Sequence, residues 1–163
     1  DGPVASNDQR RQMLSLAVSG CEGYLVDDRE LKRGDVSYTV DTLQGLKMEF
    51  PHAEIFLIMG SDSLASIRQW HQPRRLLELV TLVVLQRGAD DNIDYNVLAG
   101  LASQTQIERI RECRVTMPLI ELSSSQLRER VRRGQGIRFR TPRSVEAFIN
   151  AEKLYLTPQE VTS

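Results

Sequence analysis

The chain has 163 residues, 40% of them hydrophobic and 26% charged, with a formal net charge of −1. That is enough length for one domain with a sizeable core and an ordinary composition for a globular protein, so a single domain over 1–163 is expected. The near-neutral balance argues against a polyanion partner such as nucleic acid or an anionic membrane surface, and no apolar run reaches the eighteen or so residues a span requires.

Ser6 and Gln9 make a capping-box pattern, and Met13, Leu14, Ala17 and Val18 supply the apolar face of a helix ending near Gly20. "GYLVDDREL" then reads as a short strand with an acidic, exposed end. From Thr39, the residues Val40, Leu43, Leu46 and Phe50 recur at helical spacing up to Pro51. "EIFLIMG", residues 54–60, is a continuous apolar run, the pattern of a strand buried on both faces.

"RRLLELV" reads as a short helix, "TLVVLQR" as another buried strand, and residues 94–112 as mostly helical. "RVTMPLIEL", residues 114–122, is a strand interrupted by Pro118, and Ser123-Ser124-Ser125 opens a helix. "PRSVEAFINAEKLY" is the last helix, with Pro142 near its start. Strands alternating with helices predict an α/β fold with a mostly parallel sheet.

In such sheets ligands bind beyond the carboxyl ends of the strands. Three ends carry chemistry: Gly60-Ser61-Asp62-Ser63, Gln86-Arg87-Gly88 and Ser123-Ser124-Ser125, expected on one rim. A helix N-terminus attracts anions, the serines add short donors, and Arg128 adds a fork suited to phosphate oxygens. Arg128, Arg130, Arg132, Arg133, Arg138, Arg140 and Arg143 crowd together with only Glu129 against them. A local anion site, hence a phosphorylated small molecule, fits that better than a whole-surface partner. Arg130, Arg132 and Arg133 read as a solvated helix face. Arg87 ends a strand, where an unpaired buried charge is costly, so a phosphate or an acidic partner is expected there. Asp62 is placed to cap the helix after Gly60, and Thr39 to cap the helix it opens. Cys21 and Cys113 lack CxxC spacing and His52 and His71 lack metal-ligand spacing, so no structural metal and a reducing, cytoplasmic setting are expected.

"ELKRGDVSYTVDTL", "FLIMGSDSLASIRQW", "LVVLQRG", "LSSSQLRERV" and "PRSVEAFINAEKLY" together resemble, in order and spacing, bacterial nicotinate-nucleotide adenylyltransferases. The resemblance runs from about Ser6 to about Tyr155. It implies a Rossmann-like, doubly wound nucleotidyltransferase fold and transfer of AMP from magnesium-bound ATP to nicotinate mononucleotide in NAD biosynthesis. It further implies that Ser123, Ser124, Ser125 and Arg128 bind ATP, with Ser124 and Arg128 acting on the transferring phosphates. Trp70 would stack on the nicotinate ring, with backbone groups near His71 meeting its carboxylate, and Tyr38 and Thr39 resemble a substrate-binding element whose backbone N–H groups would suit a carboxylate or amide oxygen. Asp62 and Arg87 complete the implied substrate residues. A homo-oligomer is compatible with the pattern.

The sequence departs from the family in one place. Such enzymes carry a G-G-x-F-D-P-x-H-x-G-H stretch whose histidines hold ATP phosphates, and no such stretch occurs here. The expectation is therefore either a piece lacking the first strand, first helix and second strand or a degenerate homologue, nearly inactive by itself, with a gap where a central strand would pair. A related adenylyltransferase acting on nicotinamide mononucleotide or phosphopantetheine, and a nucleotide-binding module without catalysis, are the alternatives.

Overall fold

The computed structural model describes residues 5–34, 36–87, 93–118 and 120–156, excluding the side chain of Arg87. Their contacts group into two compact units, Arg33–Ile120 and a second made of Asp1–Lys32 with Glu121–Ser163.

The Arg33–Ile120 unit holds the sheet. Strands β1 (Phe56–Gly60), β2 (Thr81–Arg87) and β3 (Val115–Met117) lie in the order β1-β2-β3. Both pairings are parallel, with Phe56 opposite Thr81, Gly60 opposite Leu85, and Leu85 opposite Val115. Helices α3 (Thr39–Glu49), α4 (Ser61–Ala65), α5 (Pro73–Leu79) and α6 (Gln104–Glu112) accompany them. Their apolar faces make one core, in which Val40, Leu64, Ile67, Leu76, Leu82, Val84 and Leu98 are almost wholly buried. Strand alternation explains the pattern: Leu82 and Val84 are buried while Thr81, Val83 and Leu85 are half-buried.

Burial on both faces, expected for residues 54–60, is not found. Met59 is buried, but its neighbours Phe56 and Ile58 are 46% and 63% exposed. The helices packed into the core cover one face of β1, so side chains of the other parity meet solvent.

The second unit is built on helices. α1 (Asn7–Val18) opens with the expected capping box, in which the Ser6 hydroxyl accepts from the Gln9 N–H and the Gln9 side chain accepts from the Ser6 N–H. Its inward face is not quite the one expected: Met13, Leu16 and Ala17 pack on the core, while Leu14 is exposed. α7 (Ser124–Arg132) and α8 (Arg143–Ala151) contribute Val131, Val145 and Ile149, joined by Ala5, Ile137 and Leu154. The Ser144 hydroxyl donates to the Leu16 carbonyl at 3.0 Å, tying α8 to α1.

Two expected strands change. "GYLVDDREL" forms none: Tyr24 and Leu25 are exposed, Leu25 by 91%, and the segment turns instead into α2 (Arg29–Arg33). The Asp27 carboxylate accepts from the Arg29 N–H at 3.0 Å, and Asp28 pairs with Lys32 at 2.7 Å. Local side-chain bonds of this kind outcompete an extended conformation that has no neighbouring strand. In residues 114–122 the strand stops at Met117, immediately before Pro118, which has no N–H to continue the ladder.

Candidate active site

The start of α3 and the segment after α4 face a common cleft. Ser37, Tyr38, Thr39, Gln69, Trp70 and His71 line a space of about 280 Å³. Tyr38, not Thr39, is the N-cap of α3, in extended conformation and without a side-chain cap bond. Thr39 is the first helical residue, and the helix opens towards the cleft with the positive end of its dipole.

After α4 the chain makes one 3-10 turn, Ile67–Gln69, whose last carbonyls stop at Trp70; the Trp70 N–H donates to the Ile67 carbonyl at 3.1 Å. The Trp70 indole N–H donates to the Ser66 hydroxyl at 3.4 Å, and the ring packs in part against the core. Trp70 thus serves both roles that a sequence reading sets against each other: core aromatic on one side, cleft wall on the other. His71 lies over Tyr38 with ring centroids 4.0 Å apart and planes inclined by 24°. Gln72, between His71 and Pro73, is the left-handed N-cap of α5 (φ 49°, ψ 56°), and Pro73 is the first helical residue. The Gln72 amide nitrogen is 3.2 Å from His71 Nε2.

Asp62 sits in the first turn of α4, exposed, and does not line this cleft. It is not the cap expected of it, because Gly60 holds that position without a side-chain bond. A carboxylate there still suits the positive end of the helix. The backbone of Arg87 ends β2 opposite Met117, on the rim that carries Gly60; its side chain lies outside the described residues, as does Gly88.

Ser123, Ser124, Ser125 and Arg128 belong to the other unit and form their own constellation. Ser123 is the N-cap of α7, its hydroxyl accepting from the Gln126 N–H at 3.1 Å, so the hydroxyl proton is left to donate. Arg128 donates to the Ser125 hydroxyl at 3.2 Å. Ser124 and Arg128 are also at the wall of a cavity of about 170 Å³, lined besides by Thr141 and by largely apolar side chains such as Leu127, Val131 and Ile149. The neighbouring arginines are committed locally. Arg130 donates to the Gly136 carbonyl at 3.0 Å, and Arg132 and Arg133 both pair with Glu129 at 2.7 Å. Among the described residues Arg128 has only that neutral hydroxyl as a partner, so its charge is available to an anion.

Sequence reasoning did not single out Ser66 or Gln72, which hold Trp70 and His71. The Gln72-Pro73 pair is a signal for a helix start, but not for the left-handed turn. No group of His, Cys, Asp and Glu that could hold a metal occurs among the described residues, and both cysteines are free. No helix among them is long and apolar enough to cross a membrane.

Residues 1–130 match the family model described as Cytidylyltransferase-like. The "Probable nicotinate-nucleotide adenylyltransferase" of Rhodopirellula baltica is 49% identical over 154 residues, covering 94% of this chain and 72% of that protein. The protein of the same name from Herpetosiphon aurantiacus is 35% identical, with 91% and 73% covered. Among solved structures, the nicotinic acid mononucleotide adenylyltransferase of Plasmodium falciparum complexed with NaAD is similar at a TM-score of 0.65 and 17% identity, over 93% of this chain and 75% of that one. The same enzyme complexed with APC gives the same TM-score. The structural likeness supports the Rossmann-like nucleotidyltransferase fold, and the sequence likeness extends over nearly all of the chain. The chain belongs to the nicotinate-nucleotide adenylyltransferase family.

Proposed function

We propose that this protein transfers AMP from ATP to nicotinate mononucleotide, giving deamido-NAD and pyrophosphate as a step of NAD biosynthesis. The observation that carries the reading is the cleft of Tyr38, Trp70 and His71 at the open start of α3. It offers aromatic faces for a pyridine ring and backbone N–H groups for its carboxylate. The 49% identity to a relative of that name supports it independently.

A phosphate oxygen of the mononucleotide is the nucleophile. It forms a bond to the α-phosphorus of ATP as the bond to the bridging oxygen of the β-phosphate breaks, and the electron pair leaves with pyrophosphate. That oxygen is already ionised at neutral pH, so no side chain has to remove a proton. Catalysis then consists of positioning and of neutralising charge on the leaving pyrophosphate. Arg128 and the α7 start supply fixed donors for that charge, with Ser124 and Ser125 presenting hydroxyls beside it. ATP enters as its magnesium complex. Trp70 and His71 hold the pyridine end, and Asp62 and Arg87 are assigned to the ribose and phosphate of the same substrate. Nucleic acid has no place in this reading, and the setting is cytoplasmic.

Trp70 is the chain's single tryptophan, so its fluorescence reports directly on the cleft. Nicotinate mononucleotide is expected to quench it at lower concentration than nicotinamide mononucleotide does. With the family's G-G-x-F-D-P-x-H-x-G-H stretch also present, chromatography of the reaction with ATP is expected to show deamido-NAD as the product. No quenching by the acid at saturating concentration, or equal affinity for both, would overturn the assignment.

A further inference from the structure

We propose that the His71 side chain is the cleft's selector for a carboxylate over an amide, and that Gln72 positions it by fixing its tautomer. The proposal rests on reading the cleft as the pyridine site and adds a side-chain donor to the backbone ones.

The Gln72 amide nitrogen lies 3.2 Å from His71 Nε2. An amide nitrogen only donates, so Nε2 must be the unprotonated, accepting nitrogen. A neutral imidazole carries one proton, which then resides on Nδ1. This reverses the ordinary preference of a free imidazole and leaves His71 with an Nδ1–H that has no partner among the described residues. The stack on Tyr38, at 4.0 Å, holds the plane of the ring, and the Gln72 contact marks the edge that carries Nε2. One stacked ring with one fixed donor therefore lines the cleft.

A carboxylate accepts at both oxygens, so an N–H beside either of them is satisfied. A carboxamide in the same place presents one oxygen and one NH₂. Its oxygen can meet only one set of donors, and its NH₂ then faces either His71 Nδ1–H or the α3 start, donor against donor. The pairing discriminates through the unsatisfied group it leaves, the strong form of selectivity.

Backbone conformation supports the positioning role. Gln72 adopts positive φ without being glycine, directly before a proline, in the segment that delivers His71 to the cleft. Non-glycine residues held in that region cost of order 1 kcal/mol or more and gather at functional sites.

The test uses the ratio of Kd values for nicotinamide and nicotinate mononucleotides, read from Trp70 fluorescence. Titration of the shared phosphate cancels in that ratio. His71→Phe keeps a ring over Tyr38 and removes both nitrogens. It should weaken acid binding roughly tenfold or more, the scale of a lost hydrogen bond to a charged group, and leave amide binding nearly unchanged. Gln72→Gly keeps the left-handed backbone at no steric cost and deletes the amide, so a merely structural role predicts no effect. The proposal predicts a lower ratio and a shift of His71 towards the Nε2–H tautomer. Nitrogen-15 chemical shifts read this easily, since only His52 and His71 contribute. An unchanged ratio in His71→Phe, or an unchanged tautomer in Gln72→Gly, would overturn this inference while leaving the pyridine site intact. No response of Trp70 to either mononucleotide in the wild-type chain would overturn both.

Discussion

Trp70→Ala separates the two jobs the ring performs. Complete removal of a buried aromatic costs about 3–5 kcal/mol; Trp70 is only partly buried against the core, so a loss near 2 kcal/mol is expected. That is a substantial part of a domain's usual 5–15 kcal/mol, but the variant should remain folded at low temperature. Stacking of a planar base on an aromatic side chain contributes roughly 1–3 kcal/mol, which sets the expected rise in Kd for nicotinate mononucleotide at about 5-fold to 150-fold. Trp70→Phe should recover most of that affinity. It forgoes the contact area of the second ring and the indole bond to Ser66, which at 3.4 Å is long and contributes well under 1 kcal/mol. Isothermal titration calorimetry measures the affinities without needing the tryptophan, and urea unfolding measures the stabilities. A Trp70→Ala variant that is destabilised as expected yet binds with wild-type affinity would refute the stacking role and leave the residue as core alone.

Arg128→Ala should weaken ATP binding by tenfold or more, on the order of a lost charge-assisted contact, while nicotinate mononucleotide still quenches Trp70 normally. Arg128→Lys should recover only part, since an ammonium lacks the planar fork, and calorimetry with ATP decides both. Tyr95 is 9% exposed and its hydroxyl has no partner among the described residues, so Tyr95→Phe should leave stability unchanged or raise it by about 1 kcal/mol in urea unfolding. Burial pushes the Tyr95 hydroxyl above the usual tyrosine value, against the nearby Arg114 and Arg111 charges. The folded state therefore keeps a proton that the unfolded chain releases, and stability should fall as pH rises above about 10. Tyr95→Phe should show a shallower alkaline decline; an equal decline would refute the attribution.

What the sequence determined about this protein is largely local. The capping box of Ser6 and Gln9, the cap at Ser123 and the 3.6-residue spacing of Val40 and Leu43 all act over three or four residues, so their geometry can be read in order along the chain. The apolar runs at 56–60 and 81–87 likewise announced strands, because parallel strands joined by helices need continuous hydrophobic stretches. Arg128 was legible for the same reason, four residues after Ser124 and so one turn into the helix. The extended reading of residues 23–31 failed because apolar residues specify a strand only where a neighbour completes the ladder, and Asp27 offered a local bond instead. The tertiary structure alone decided that Phe56 and Ile58 face solvent, that Trp70 divides itself between core and cleft, and that Tyr38 meets His71 across 33 positions of chain. Such contacts depend on where separate elements come to rest, and side-chain packing between elements, unlike a cap or a helical repeat, has no fixed spacing along the chain.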